Sequence, residues 1–546
     1  MAGASYQLAL IVKKPNADQF QFLVTRQKRP VPEKFEGLPR VDRELWDLPL
    51  APLSKASGSN GITMSPLSED DDGSLNVTRC VTNSIHKLGL SGFNVIEAVT
   101  NVESQVYPPG VRMKSWRYWR LVEETNYGPG PPLHTLIFIT ESDFEETKVP
   151  GGGHWLNSEA TIDLLAQSGI REMRIGPLAA VAVSPHVPDG FVNGFTNSHG
   201  QDYPPGVVVV PMNSVTIKPF SKTNLVIFSP SRFLTKEIIM SSKHAASGDV
   251  LIADPGCTGA AQSELKQIVK SLPRKMLVFL THHHCDHTDG LPTVRKQNPE
   301  AVLVAHEATF RRMGKATKGF KCVTIEGGCK LLVGGRELDV ISAPGHTDGH
   351  LAFYDSATGT LVVGDHCVGQ GSSFLDPTSG GNLQDYLDTT RRLLDLGPHM
   401  VVPMHGRPNL WPAHMLNGYI KHREGRELKI LTVIEAGARS AFEIVSSAYA
   451  DTPANLWPWA LANVKLHVEH LKLNGKLPAD FSVADFEKSS KAPFAIKCAS
   501  AVTKSMLHRP WQRLMLASTS KTTIIASLSV AAVLGAVILN WTVRRG

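Results

Sequence analysis

The run Thr281-His282-His283-His284-Cys285-Asp286-His287 constrains this chain more than any other stretch. It follows Leu277-Val278-Phe279-Leu280, a short apolar run that reads as a buried strand. Directly after that strand the chain presents His282, His284, Asp286 and His287. Imidazole and carboxylate ligands so closely spaced suit a pair of borderline divalent ions, zinc first. A turn after a strand aims alternate residues at two neighbouring points. One ion can use His282 and His284, a second Asp286 and His287, and each then needs ligands from elsewhere.

Candidates follow in order. His346 stands in Ala343-Pro344-Gly345-His346-Thr347-Asp348-Gly349-His350. Asp365 ends the apolar run Leu361-Val362-Val363-Gly364, and His405 follows Val401-Val402-Pro403-Met404. This set resembles the metallo-β-lactamase superfamily: an H-x-H-x-D-H motif, a Gly-His loop, a bridging Asp and a final His. The resemblance implies that His282, His284 and His346 hold one metal, that Asp286, His287 and His405 hold the other, and that Asp365 bridges. It makes Asp254, at the end of Val250-Leu251-Ile252-Ala253, a supporting residue. The implied cofactor is two Zn²⁺ per chain.

At 546 residues the chain exceeds one ordinary domain. A net charge of +6 is small for this length and does not by itself mark a nucleic-acid binder. The seven cysteines are odd in number and lack any C-x-x-C, which fits a reducing compartment. Cys285, inside the metal motif, reads as an inert filler. No secretory or transit segment is recognisable at the amino terminus; residues 6–12 read as a first strand.

Residues 1–180 resemble a Nudix domain. Strand-like runs at 8–12 and 20–25 lead to Arg26-Gln27-Lys28-Arg29, then to Trp46-Asp47-Leu48-Pro49, and a helix-like segment at 77–88 closes at Gly89. A polar stretch, 54–74, reads as a surface loop, and later strands are expected at 117–122 and 135–139. The acidic positions of a Nudix box here hold Thr82, Asn83, His86 and Lys87. Mg²⁺ needs carboxylate oxygens, so phosphohydrolase chemistry is not expected from this degenerate module, which reads as a docking or sensing unit. Residues 150–205 read as a connector.

From 205 to 411, strands alternate with helices and hairpins, as in two packed sheets flanked by helices, an αββα sandwich. A hairpin is expected around Ser356-Ala357-Thr358-Gly359. Only residues 366–404 separate Asp365 from His405, which leaves no room for a large inserted domain. That interval holds a helix, 383–396, and a substrate loop, 369–381. His350 and His366 read as neighbours that orient the ligands, and His366 as a guess at the leaving-group acid. Residues 412–480 form a helical unit. One helix is expected over 420–431, and another runs from Pro453 to Asn474 and stops at Gly475. With Gly-Lys-Leu at 475–477 it resembles a winged helix.

Gly364-Asp365, Val368-Gly369-Gln370-Gly371, the short insertion and the helical tail together resemble the lactamase-beta-like protein 2 family over about 205–480. That resemblance implies a zinc hydrolase, with endoribonuclease action on single-stranded RNA in the animal member and thioesterase or lactamase action in fungal relatives. The amino-terminal module and the carboxyl end depart from the animal pattern, so the substrate is not carried over.

Residues 481–520 read as a polar linker. Residues 522–543 carry no charge and are rich in Ile, Leu, Val and Ala, with Lys521 before and Arg544-Arg545 after. At about 1.5 Å per residue they can cross a hydrocarbon core of roughly 30 Å. They read as a transmembrane tail anchor with the body in the cytosol, on the outer membrane of a mitochondrion, plastid or peroxisome. The expected chemistry is hydrolysis by a metal-bound hydroxide oriented by Asp286 and Asp365. Three readings stay open: a ribonuclease on single-stranded RNA, a hydrolase of small thioesters, esters or lactams, and a membrane-tethered binding protein.

Overall fold

The computed structural model describes residues 5–507 except for short stretches, the longer of them 29–43, 56–72, 108–114, 125–132, 143–148, 167–174, 183–200 and 230–242. The expected loop at 54–74 and the expected span at 522–543 fall largely or wholly outside the described residues. Among the described residues no helix is long and apolar enough to cross a membrane.

The chain divides into two compact units, the first comprising 1–343, 349–373 and 392–416. Its amino-terminal part is a seven-stranded sheet. Strands Glu44–Asp47, Gln21–Lys28, Ser5–Lys13, Leu133–Glu141 and Arg117–Glu124 lie side by side, with Leu50–Leu53 and Gly153–Asn157 paired to the central strands. Alternation along Ser5–Lys13 decides the packing, since successive side chains point to opposite faces. Leu8, Leu10 and Val12 bury against helices Gly73–Lys87 and Val95–Val106 through Val77, Val81, Val99 and Val102. Ala9 and Ile11 face the opposite way, into a cluster that continues to Val207, Val209 and Phe228. The helix expected at 77–88 is therefore present, and Gly89 beyond it has φ +70°.

The connector expected over 150–205 is corrected at its start. Gly153–Asn157 is a strand paired with Gln21–Lys28, and Ser158–Ala166 is a helix. Asp47, fully buried, also accepts the backbone N–H of Ala179 at 2.6 Å and ties this stretch to the sheet.

Two further sheets form the sandwich. One has the order Lys321–Thr324, Val302–Ala305, Met276–Phe279, Val250–Ala253, Lys222–Phe228, Val207–Asn213, Gln201–Asp202. The other runs Ala246–Gly248, Lys330–Val333, Arg336–Ser342, Leu351–Asp355, Thr360–Gly364, Met400–Pro403. Phe353 of the second sheet meets Phe228 and Phe279 of the first edge-on, with centroids 5.2 and 4.9 Å apart, a favourable aromatic geometry. The outer face of the first sheet carries Val250, Ile252, Val278 and Leu303, covered by Leu265 and Ile268 of helix Ala261–Ser271 and by Leu291 and Val294 of Leu291–Gln297. The hairpin around residue 357 is formed as expected.

The second unit comprises 344–348, 374–391 and 417 onward. Helices Pro412–Glu435, Ala441–Ala448 and Trp457–Leu473 supply its core, with Ile430, Ile444, Val464 and Leu471 at or near zero exposure. A capping box, Ser440 with Glu443, starts the second of these. The linker expected from 481 is corrected: Val483–Ser489 and Ala492–Leu507 are helices, and Phe486, Phe494 and Cys498 are buried in that same core. The helical unit thus extends past 480.

Candidate metal centre

All but one of the candidate ligand positions come at the end of a strand; His346 lies in the loop beyond Arg336–Ser342. Asp254 follows Val250–Ala253, the histidine run follows Met276–Phe279, Asp365 follows Thr360–Gly364, and His405 follows Met400–Pro403. Parallel pairing of Val250–Ala253 with Met276–Phe279 brings the first two strand ends together.

Asp254 organises the cluster. It is fully buried and is, among the described residues, the one non-glycine with positive φ, +50°. An aspartate tolerates that conformation better than most side chains. Its carboxylate accepts three bonds: from the Thr281 N–H at 2.8 Å, the Thr281 hydroxyl at 2.6 Å and His287 Nδ1 at 2.8 Å. The Nδ1 proton of His287 is thereby placed, and Nε2 presents its lone pair. That Nε2 is buried without a hydrogen-bond partner. It lies 3.5 Å from Asp365 Oδ1 and 3.8 Å from Asp286 Oδ1.

His405 repeats the arrangement. Its Nδ1 donates to the Lys222 carbonyl at 2.9 Å, leaving Nε2 3.3 Å from Asp286 Oδ2 and 3.4 Å from Asp365 Oδ2. Two imidazole nitrogens and two carboxylates thus converge. Asp286, His287 and His405 offer donor atoms within 4.8 Å of one another. Fixing the remote nitrogen of each ring with a carboxylate or carbonyl is how metal-binding histidines are oriented, so the donor set fits a divalent ion.

His282 and His284 stand alongside. The Thr281 hydroxyl lies 2.9 Å from His282 Nδ1, and His282 Nε2 lies 2.9 Å from His284 Nδ1, so the two rings converge. His346 belongs to the 344–348 segment of the second unit. There its Nδ1 donates to the Phe374 carbonyl at 2.5 Å, which leaves Nε2 as the lone-pair nitrogen.

The electrostatics match the geometry. Burial opposes charge on all four groups, yet their mutual attraction prevails. His287 and His405 hold Asp286 down at about 2. Asp365, beside the same two rings, is held well below the carboxylate range. Asp365 and Asp286 push His405 up to about 10, and the aspartates together raise His287 well above the imidazole range. The carboxylates demand positive charge here, which protons or metal ions can both supply.

His350 acts as the sequence suggested. Its Nε2 accepts the Asp365 N–H at 3.2 Å. Gly364, at φ +55°, lets that ring approach, because a Cβ there would sit 2.4 Å from His350 Nε2. His366 is fully buried, as are His282 and His287. Cys285 is exposed and makes no disulfide.

Sequence reasoning missed Thr281, Lys222 and Asn224. The side chain of Asn224 donates to the carbonyls of Pro403 and Gly406 at 2.8 and 2.9 Å, bracketing His405. The threonine was readable as the polar residue between strand and motif. The backbone carbonyl of Lys222 leaves no signal in a sequence.

Residues 245–405 match the model of the Metallo-beta-lactamase superfamily, and residues 440–478 that of the Beta-lactamase associated winged helix domain. The chain is 29% identical to a Beta-lactamase-like protein 2 homolog of Drosophila melanogaster, over 37% of this chain and 69% of the fly protein. It is 26% identical to the Caenorhabditis elegans homolog, over 39% of this chain and 70% of the worm protein. Lactamase-like protein adaB of Aspergillus niger is 30% identical over 32% of this chain and 56% of its own length.

Proposed function

We propose that the protein is a dinuclear zinc hydrolase, a reading supported by the match of residues 245–405 to the metallo-β-lactamase superfamily model and by homologues that indicate a metal-dependent hydrolase. Asp286, His287 and His405 would hold one ion, with Asp365 shared between the two. By the family pattern His282, His284 and His346 would hold the other. The observation that carries this reading is the approach of both Asp286 and Asp365 to the same His405 Nε2, within 3.4 Å. Ions held there would lower the pKa of bound water towards 7 and neutralise developing negative charge.

The chain's own residues do the rest. Asp254 and the Lys222 carbonyl keep the two imidazoles in one tautomer and plane. Asp286 and Asp365, kept ionised, can accept hydrogen bonds from a water and orient it towards an electrophilic carbon or phosphorus.

For the substrate we take single-stranded RNA as the first reading. It rests on the likeness to the lactamase-beta-like protein 2 family and on the basic residues of the winged-helix unit. Strong salt dependence of binding would accompany it. A small thioester, ester or lactam is the second reading, supported by the likeness to lactamase-like protein adaB. The amino-terminal lobe, with no acidic residue at the Nudix-box positions, serves in this account as a non-catalytic Nudix-like docking module. Residues 522–543 serve as a tail anchor that leaves the body facing the cytosol at an organelle surface.

End-labelled single-stranded RNA, incubated with the protein and with Asp286→Ala, tests the substrate. Chelator-sensitive cleavage by the wild type alone supports the RNA reading. Absence of cleavage by metal-loaded wild type moves the assignment to acyl substrates, tested with a thioester panel.

A further inference from the structure

The hairpin formed by Val207–Asn213 and Lys222–Phe228 is clamped to the His405 turn. Asn224 N donates to the Met404 carbonyl at 2.7 Å, the Asn224 side chain bonds on either side of His405, and the Lys222 carbonyl takes the His405 Nδ1 proton. At the hairpin's turn, Ser214 N bonds the Ser221 carbonyl at 3.1 Å. From that turn two side chains reach His405. The Phe220 ring stacks on the imidazole with centroids 5.5 Å apart and planes 24° apart. The Thr216 hydroxyl lies 3.4 Å from His405 Nε2.

A single hydrogen bond at Nδ1 fixes the tautomer of a histidine but leaves the ring free to rock about that bond. A face-on aromatic neighbour removes that freedom. The contact has a charge preference as well. The face of a phenyl ring is negative, so it favours an imidazole that has lost electron density to a cation over a neutral one.

We propose that Phe220 is a positioning residue for the second metal: it locks the plane of His405 and favours the ligated form of that ring. The proposal rests on the dinuclear reading above and adds to it a residue 185 positions upstream of its target. Phe220 touches neither substrate nor metal in this role. Its effect is expected at the ion that His405 holds, because its ring stacks on His405.

The test is competitive zinc titration of the metal-free full-length protein against a chromophoric chelator, for the wild type, Phe220→Ala, Phe220→Tyr and His405→Ala. Melting of each metal-free form serves as the folding control. Wild type is expected to show two sites and His405→Ala to lose one. Phe220→Ala should weaken that one site about ten- to a hundredfold, the range found when a ligand's supporting partner is removed, with the other site unchanged. Phe220→Tyr, which keeps the aromatic face, should restore it. Equal weakening of both sites, an unchanged Phe220→Ala, or no rescue by Phe220→Tyr would each overturn the proposal. Should Phe220→Ala melt far below wild type, the Phe220→Tyr comparison and a Phe220→Leu variant, which fills the space without a π face, decide it: Leu equal to Tyr overturns it. A wild type that binds fewer than two ions would instead refute the dinuclear reading, so the two failures are distinguishable.

Discussion

Asp254 Oδ2 accepts the Nδ1 proton of His287 at 2.8 Å, and both side chains are fully buried. The same carboxylate takes the N–H and hydroxyl of Thr281. One buried carboxylate therefore sets the entry of the histidine run and the tautomer of one of its members.

Asp254→Asn isolates the charge, because asparagine also tolerates positive φ. An amide cannot accept from both Thr281 and His287 without turning its NH₂ towards one of them. The variant is expected to fold, to hold zinc about ten- to a hundredfold more weakly, and to lose hydrolysis in proportion at limiting metal. Zinc titration with a parallel rate measurement checks this. Undiminished affinity would refute the role given to Asp254.

Asp286→Ala removes a carboxylate at the centre of the cluster without touching the core. The expected result is a metal-free protein that still folds cooperatively, with its melting temperature lowered because His287 and His405 lose a carboxylate partner, and activity lower by orders of magnitude. Wild-type turnover in this variant would sink the proposed mechanism.

Metal loading should be proton-coupled. Asp286, held at about 2 against an ordinary 3.8, stabilises the metal-free fold above pH 3.8, and that contribution is lost as the pH falls through about 2. His405, raised from 6.5 to about 10, contributes fully below pH 6.5 and loses its contribution as the pH rises through about 10. A metal must displace the His405 proton, so zinc affinity should climb steadily between pH 6.5 and 10. Calorimetry in buffers of different ionisation enthalpy should register proton release. Affinity independent of pH over that window would contradict the assignment of His405 as a ligand.

Phe486 is 1% exposed within the helical core of the second unit. Its replacement by alanine should cost about 3–5 kcal/mol in that unit, read as a lower midpoint in urea. A chain cut after residue 480 should melt far below one cut after 507, because Phe486, Phe494 and Cys498 go with it. Equal melting of the two would mean that the last helices contribute nothing to the core.

Most of the candidate site was legible in the sequence because Asp254, His282, Asp365 and His405 each follow an apolar run short enough to be a strand, so chemistry and secondary structure announced each other there; His346, in a loop, was legible only through its Gly-His motif. The two packed sheets followed from the same alternation. The clamp on His405 was not legible. Lys222 acts through its carbonyl, Asn224 through a side chain common in loops, and Phe220 through a ring that any core can use. Residues 483–507 read as a linker because charged residues outnumber the buried anchors, yet Phe486, Phe494 and Cys498 share one buried side. The strand Gly153–Asn157 was hidden by the glycines that introduce it.

The central claim is a two-ion site, and the most direct measurement is zinc per chain by native mass spectrometry of the purified protein beside His405→Ala. The account predicts two ions on the wild type and one on the variant, both folded. One ion or none on a folded wild type, or two on His405→Ala, would contradict it.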